Sequence, residues 1–206
     1  MTIAPPATDR GLRIAGTLLA TFAAGALFGA LDLLGQRALP APWFELANSA
    51  AVWAVAAFVL GRVIGTDTVV AAVSGTLLLT VAVESYYLAA ALALDDSTTN
   101  LTSRSTIIWI ILGVLAGAAF GAAGSVSRRP VDLYAGPAVA LGASVLFAEA
   151  IAMRHGWGVP LDLALGAIVL AVSARGVTRR LLACAACVPL TGFVVFAFDA
   201  LGVGGS

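Results

Sequence analysis

Seven times between residues 12 and 201 the chain runs for a bilayer's thickness with almost no charge, and this repetition narrows the available folds more than any other feature. A hydrocarbon core of about 30 Å takes roughly 20 apolar residues per helix. The runs fall at 12–34, 44–64, 68–94, 106–126, 134–153, 160–174 and 181–201. They predict an all-α, polytopic transmembrane bundle of about seven spans, forming one integral membrane domain over residues 1–206. The sixth run is short and opens on Pro160, a residue suited to the first position of a helix. If that run re-enters rather than crosses, six spans remain. Only 11% of the residues are charged, against about 25% in a soluble domain, so lipid has to cover much of the surface. The first run is too long, and too poor in a cleavage-site pattern, for a cleaved signal peptide.

All eleven basic residues are arginine. Without lysine no Schiff base can form, which excludes a retinal protein despite the helix count. The formal net charge is zero, so nothing points to nucleic acid as a partner. With the N-terminus inside, Arg10, Arg13, Arg62, Arg128, Arg129, Arg175, Arg179 and Arg180 gather at inner ends, leaving Arg37, Arg104 and Arg154 outside. The positive-inside rule then gives a cytoplasmic N-terminus, an extracellular C-terminus and a plasma-membrane location. The alanine-rich, lysine-free composition reads as bacterial.

The acids show the opposite bias. Asp9, Asp67 and Asp132 lie toward the inner side, and the others toward the outer side. Asp95 and Asp96 belong to a polar loop. Asp32, Glu84 and Glu149, in contrast, lie within apolar runs, a few helical turns from the outer surface. An ionisable side chain at the bilayer centre costs about 2.5–3.5 kcal/mol on insertion scales, so such residues face the bundle interior and are functional candidates. Asp32 and Gln36 share a helical face, as do Glu84 and Tyr87, with Tyr86 beside them. Helical spacing through the second run places Glu45, Asn48 and Ser49 together. His155, Trp157 and Asp162 follow at the fifth-to-sixth connection, and Trp109 enters the fourth run from the same side. These residues describe an outward-facing cavity with tyrosine and tryptophan walls and an acidic lining, suited to a cationic or polyhydroxylated small molecule. The alternative is a set of solvated loop residues, interfacial tryptophans and hydrogen-bonded structural acids.

Gly113, Gly117 and Gly121 share one face of the fourth run, and Gly25 and Gly29 one face of the first. Small residues at this spacing let backbones approach, either inside the bundle or against a partner helix. Cys184 and Cys187 form a CxxC inside the seventh run, with no second cysteine pair and no nearby histidine. They read as small apolar residues rather than a redox or metal centre. Pro137 and Pro189 lie within runs, where freed carbonyls can shape a cavity. No phosphate loop, HExxH or nucleophile elbow occurs, and no cofactor or metal is expected.

The stretch Pro42-Trp43-Phe44-Glu45-Leu46-Ala47-Asn48-Ser49, with Trp53, Ala57-Phe58 and Gly61, resembles a family of small multi-pass actinobacterial proteins of unknown function. That family has a PW-x-x-LANS segment entering its second span and a tyrosine pair in its third, here Tyr86-Tyr87. The resemblance covers the first four runs and brings no activity with it. More loosely, a small bundle with an outward site is similar to the substrate-binding subunits of vitamin transporters driven by a separate ATPase, which have six spans.

Three functions fit these residues. The first is small-molecule binding or transport through the acidic and aromatic cavity. The second is an intramembrane enzyme using a buried acid on a lipid-like polyene. The third is a structural or accessory protein that binds a partner through the Gly113–Gly121 face.

Overall fold

The computed structural model describes residues 7–94, 96–153 and 156–201. In lipid the backbone must satisfy its own polar groups, so apolar runs become helices. Eight α-helices appear among the described residues: α1 (Ala7–Ala38), α2 (Trp43–Ala47), α3 (Ala50–Ile64), α4 (Thr68–Ala93), α5 (Arg104–Val126), α6 (Asp132–Met153), α7 (Val159–Ser173) and α8 (Val177–Leu201). A 3-10 turn, Thr98–Thr102, precedes α5. Polar caps start the helices where the apolar runs begin. The side chains of Ser49, Asp67 and Ser103 accept from the N–H groups of Val52, Val70 and Thr106, each satisfying an orphan donor. Gly65 ends α3 at φ 98°, and Gly176 turns the chain between α7 and α8 at φ 89°. In both places the left-handed backbone favours glycine.

Five helices, α1, α4, α5, α6 and α8, are long and apolar enough to cross a membrane, while α3 and α7 are apolar but only 15 residues each. The second apolar run is not one continuous helix, as its hydropathy suggested. It breaks at Asn48-Ser49, because Ser49 takes an extended backbone (φ −96°, ψ 117°) to cap α3 with its hydroxyl. Glu45, in α2, therefore does not share a helical face with Asn48 and Ser49.

Side-chain pairings give each helix its direction. Arg10 meets Asp67 at 3.1 Å and Arg179 meets Asp132 at 2.8 Å, joining the starts of α1 with α4 and of α6 with α8. Gly25 lies on Leu78 and Gly29 on Ala82, so α1 and α4 run parallel. Gly113, Gly117 and Gly121 of α5 lie on Leu79, Gly75 and Ala71 of α4 in descending order, an antiparallel seam. Gly142 of α6 holds the Phe58 ring of α3. α3 starts at Glu149 near the end of α6 and ends at Ser127 after α5, and α7 starts at Glu45 and ends beside Arg180, so the seven apolar helices alternate in direction. The glycine face of α5 is filled by α4 and α3 of the same chain.

The core is built mainly from small residues, with Ala51, Ala57, Ala71, Ala82, Ala140 and Ala143 fully buried and Phe58 and Leu146 the largest of the side chains buried as completely. Leu19, Val63, Val188 and Phe196 are exposed on the outside. Small side chains inside and large ones outside suit a lipid-bathed bundle, where close backbone contact rather than the hydrophobic effect holds helices together. Cys187 is buried in the α6–α8 seam, where Ser144 donates to its carbonyl at 3.3 Å, while Cys184 is exposed. The two helices with an interior proline, α6 (Pro137) and α8 (Pro189), continue through it, while Pro160 sits in the first turn of α7.

The two ends of the bundle differ in charge. At one end Arg128 donates to the Arg62 carbonyl (3.2 Å), Arg129 to the Thr68 hydroxyl (3.0 Å) and Arg180 to the Ala174 carbonyl (3.1 Å). Arg179 reaches Asp132, the Ser127 carbonyl (3.2 Å) and the Arg129 carbonyl (3.0 Å), linking α5, α6 and α8. Asp32, Glu45, Glu149 and Asp162 lie toward the opposite end. We expect Arg179→Ala to lower stability by about 2 kcal/mol in detergent unfolding, because charged hydrogen bonds are lost together. Arg179→Lys should recover only part of that loss, since a single ammonium nitrogen cannot span acceptors that Nε, Nη1 and Nη2 reach separately. Equal stability of all three proteins would remove the linking role.

A candidate binding cavity at the acidic end

The break at Ser49 positions the site. α2 turns aside to pack on α1, and α3 starts late, leaving a cavity of about 230 Å³ bounded by α1, α3, α4 and α5. Asp32 of α1 is 7% exposed and is held on both oxygens. Trp53 Nε1 of α3 donates to Oδ1 at 3.1 Å, and Gln36 Nε2, one turn on, donates to Oδ2 at 2.9 Å. Gln36 also donates to the Ala47 carbonyl at 3.2 Å and accepts from the Tyr86 hydroxyl at 3.1 Å. The network therefore joins α1, α2, α3 and α4. The Trp53 ring rests on Phe28 with centroids 5.4 Å apart, and Tyr86 and Tyr87 meet edge to face, also at 5.4 Å. Trp109 of α5 completes the aromatic wall, and Leu79, Val83, Leu112 and Gly113 supply apolar lining. Among the described residues, Asp32 is the only charged one lining the cavity.

A second polar cluster lies behind the start of α3. Glu149 of α6 is 6% exposed and accepts from the Ser49 hydroxyl and, at 3.5 Å, from the Ala51 N–H. Glu45 of α2 accepts from the Gly158 N–H at the start of α7, at 2.6 Å. Each short helix thus begins against a carboxylate from elsewhere in the chain, where the helix dipole favours negative charge. Asp162, in the first turn of α7, is buried beside them.

The structure sorts the sequence candidates into groups. Asp32, Gln36, Asn48, Tyr86 and Tyr87 line the cavity together. Glu45, Glu149 and Asp162 form the second cluster. Glu84 is exposed on α4, turned away from the cavity that its neighbour Tyr87 lines, so the two do not share a working face. Trp157 is also exposed, at 75%, and His155 lies outside the described residues. Asp96 accepts from the Ser97 N–H and the Asn100 amide within its loop. Trp53 was not among the candidates, although it sits one turn after Ser49 on the same face and so carried a readable signal. Ser49 and Trp109 also line the cavity. No three His, Cys, Asp or Glu side chains among the described residues could hold a metal ion.

Alternating apolar helices around a buried polar cavity define a multi-pass α-helical membrane protein. The chain belongs to a family of unknown function, DUF6518, which matches residues 8–203. No curated protein and no solved structure matches it.

Proposed function

We propose that the protein binds a small organic cation in the Asp32 cavity, as a receptor or transporter opening to the outer side of the membrane. The observation that carries this reading is a single carboxylate, already held by Trp53 and Gln36, as the lone charge of an aromatic-walled space. Carboxylate and aromatic faces together recognise an ammonium group by charge pairing and cation–π attraction, and few polar groups in an otherwise apolar pocket are what ligand sites present. The clustering of arginine at the opposite end supports a cytoplasmic N-terminus, with the cavity toward the outside of the plasma membrane.

The full-length chain in lipid nanodiscs can be titrated with quaternary and primary ammonium compounds and with their neutral isosteres, following tryptophan fluorescence. We expect the cations to bind and the isosteres to bind more weakly. Asp32→Asn should lose roughly tenfold or more in affinity, equivalent to about 1.4 kcal/mol, and Trp53→Phe a smaller amount. Undiminished binding by Asp32→Asn, or a preference for the neutral compounds, would remove the proposal.

A further inference from the structure

Three carboxyl groups meet where α3 and α7 begin, outside the cavity. Two are supplied with donors: Glu149 by Ser49 and Ala51, and Glu45 by the Gly158 N–H. The third is not. Asp162 is 2% exposed, and its Oδ1 has no hydrogen-bond partner. The groups within Coulombic reach of it are Glu149 on α6 and Glu45 on α2. α8, the other helix touching α7, brings no charged group within that reach. Among the described residues no arginine pairs with any of the three. Arg154 and His155, in the α6–α7 connection, lie outside those residues.

An ionised carboxylate out of water, without a donor and facing two further carboxylates, is opposed by both desolvation and repulsion. The α7 N-terminus relieves it only in part: its dipole favours negative charge in the first turn, but the Gly158 N–H is taken by Glu45 and no donor reaches Asp162 Oδ1. One added positive charge resolves the conflict. Among the described residues no cation supplies that charge and the acids do not converge closely enough to ligate a metal ion, so the charge that fits there is a proton. We propose that Asp162 is a proton-binding site, with Glu149 and Glu45 as the anions that hold the proton. Ser49 places this site beside the cavity: it lines the cavity and donates to Glu149, so a charge change at the cluster lies one hydrogen bond away from the cavity wall. The site does not depend on the cavity having a ligand, and its test needs none.

Infrared difference spectra of the full chain in lipid nanodiscs, in H₂O and D₂O across a pH series, read protonated carboxyls directly. We expect a carboxylic carbonyl band at neutral pH that Asp162→Asn removes, Asp162→Glu retains and Asp32→Asn leaves in place. Glu149→Gln and Glu45→Gln should each keep the band but move its disappearance toward acid, because one facing anion is gone. Should Asp162→Asn fail to fold, those two shifts decide. A band at full strength in Asp162→Asn, its absence from the unmodified protein, or its loss on adding sodium at constant pH would overturn the assignment.

Discussion

Gly121→Leu is expected to abolish the folded bundle. Gly121 lies at the centre of a three-helix contact. On one side it faces the Ala71 backbone and the Gly75 Cα of α4, and on the other its carbonyl lies where a side chain at Gly61 of α3 would go. A branched side chain at this point meets main chain rather than flexible side chains, so the helices must separate. Overpacking a well-packed core costs about 1–3 kcal/mol when side chains can shift, and more when they cannot. Because association in lipid rests on close van der Waals contact, lost proximity is not offset by apolar burial. Size-exclusion profiles and thermal unfolding in detergent should show no monodisperse species for Gly121→Leu. Gly16→Leu and Gly192→Leu, where nothing stands within 4 Å, should behave as the unmodified chain does. A monodisperse Gly121→Leu of ordinary stability would show that the α3–α4–α5 contact is not what holds the bundle.

Glu149→Ala should be the next most damaging change. It leaves the Ser49 O–H and the Ala51 N–H without an acceptor in a buried place and removes the link between α6 and the start of α3. Unsatisfied buried groups cost about 1–3 kcal/mol each, so a loss of about 3 kcal/mol is expected. Glu149→Gln keeps an acceptor and should lose no more than about 1 kcal/mol on the same scale. Hydrogen exchange should quicken in the first turn of α3 and stay slow in the middle of α5. Equal protection of both segments in Glu149→Ala would contradict the bracing role.

The long apolar helices were legible because a run of apolar residues as long as a bilayer is thick has few other structures open to it. Gly113, Gly117 and Gly121 likewise announced a close helix contact, though not which helix would supply it. Which side of each helix turns inward was not legible. Lipid and interior are both apolar, so α4 carries little asymmetry in sequence to show that Tyr87 lines a cavity while Glu84, one turn away, is exposed. The break at Ser49 was hidden for a different reason. Serine is tolerated inside an apolar helix as readily as at its cap, and only the neighbouring Glu149, a hundred residues later, makes the cap the better place. The acids were therefore read as one group, when the start of α3 divides them into two.

The shortness of α3 and α7 has an electrical consequence. Fifteen residues rise about 22 Å, roughly 8 Å less than a hydrocarbon core of about 30 Å. Both helices reach the arginine end, where Arg62 bonds Ser127 and Ala174 accepts from Arg180, so the whole shortfall falls on the acidic side. Water in that recess, outside the buried carboxyls, would short-circuit its share of a membrane voltage. The drop would then be concentrated across the remaining slab, where glycine backbones are in contact. A cation of the kind proposed for the cavity would reach Asp32 from the acidic side across little of that drop, and would cross nearly all of it in leaving toward the arginines, at about 2.3 kcal/mol per charge for each 100 mV.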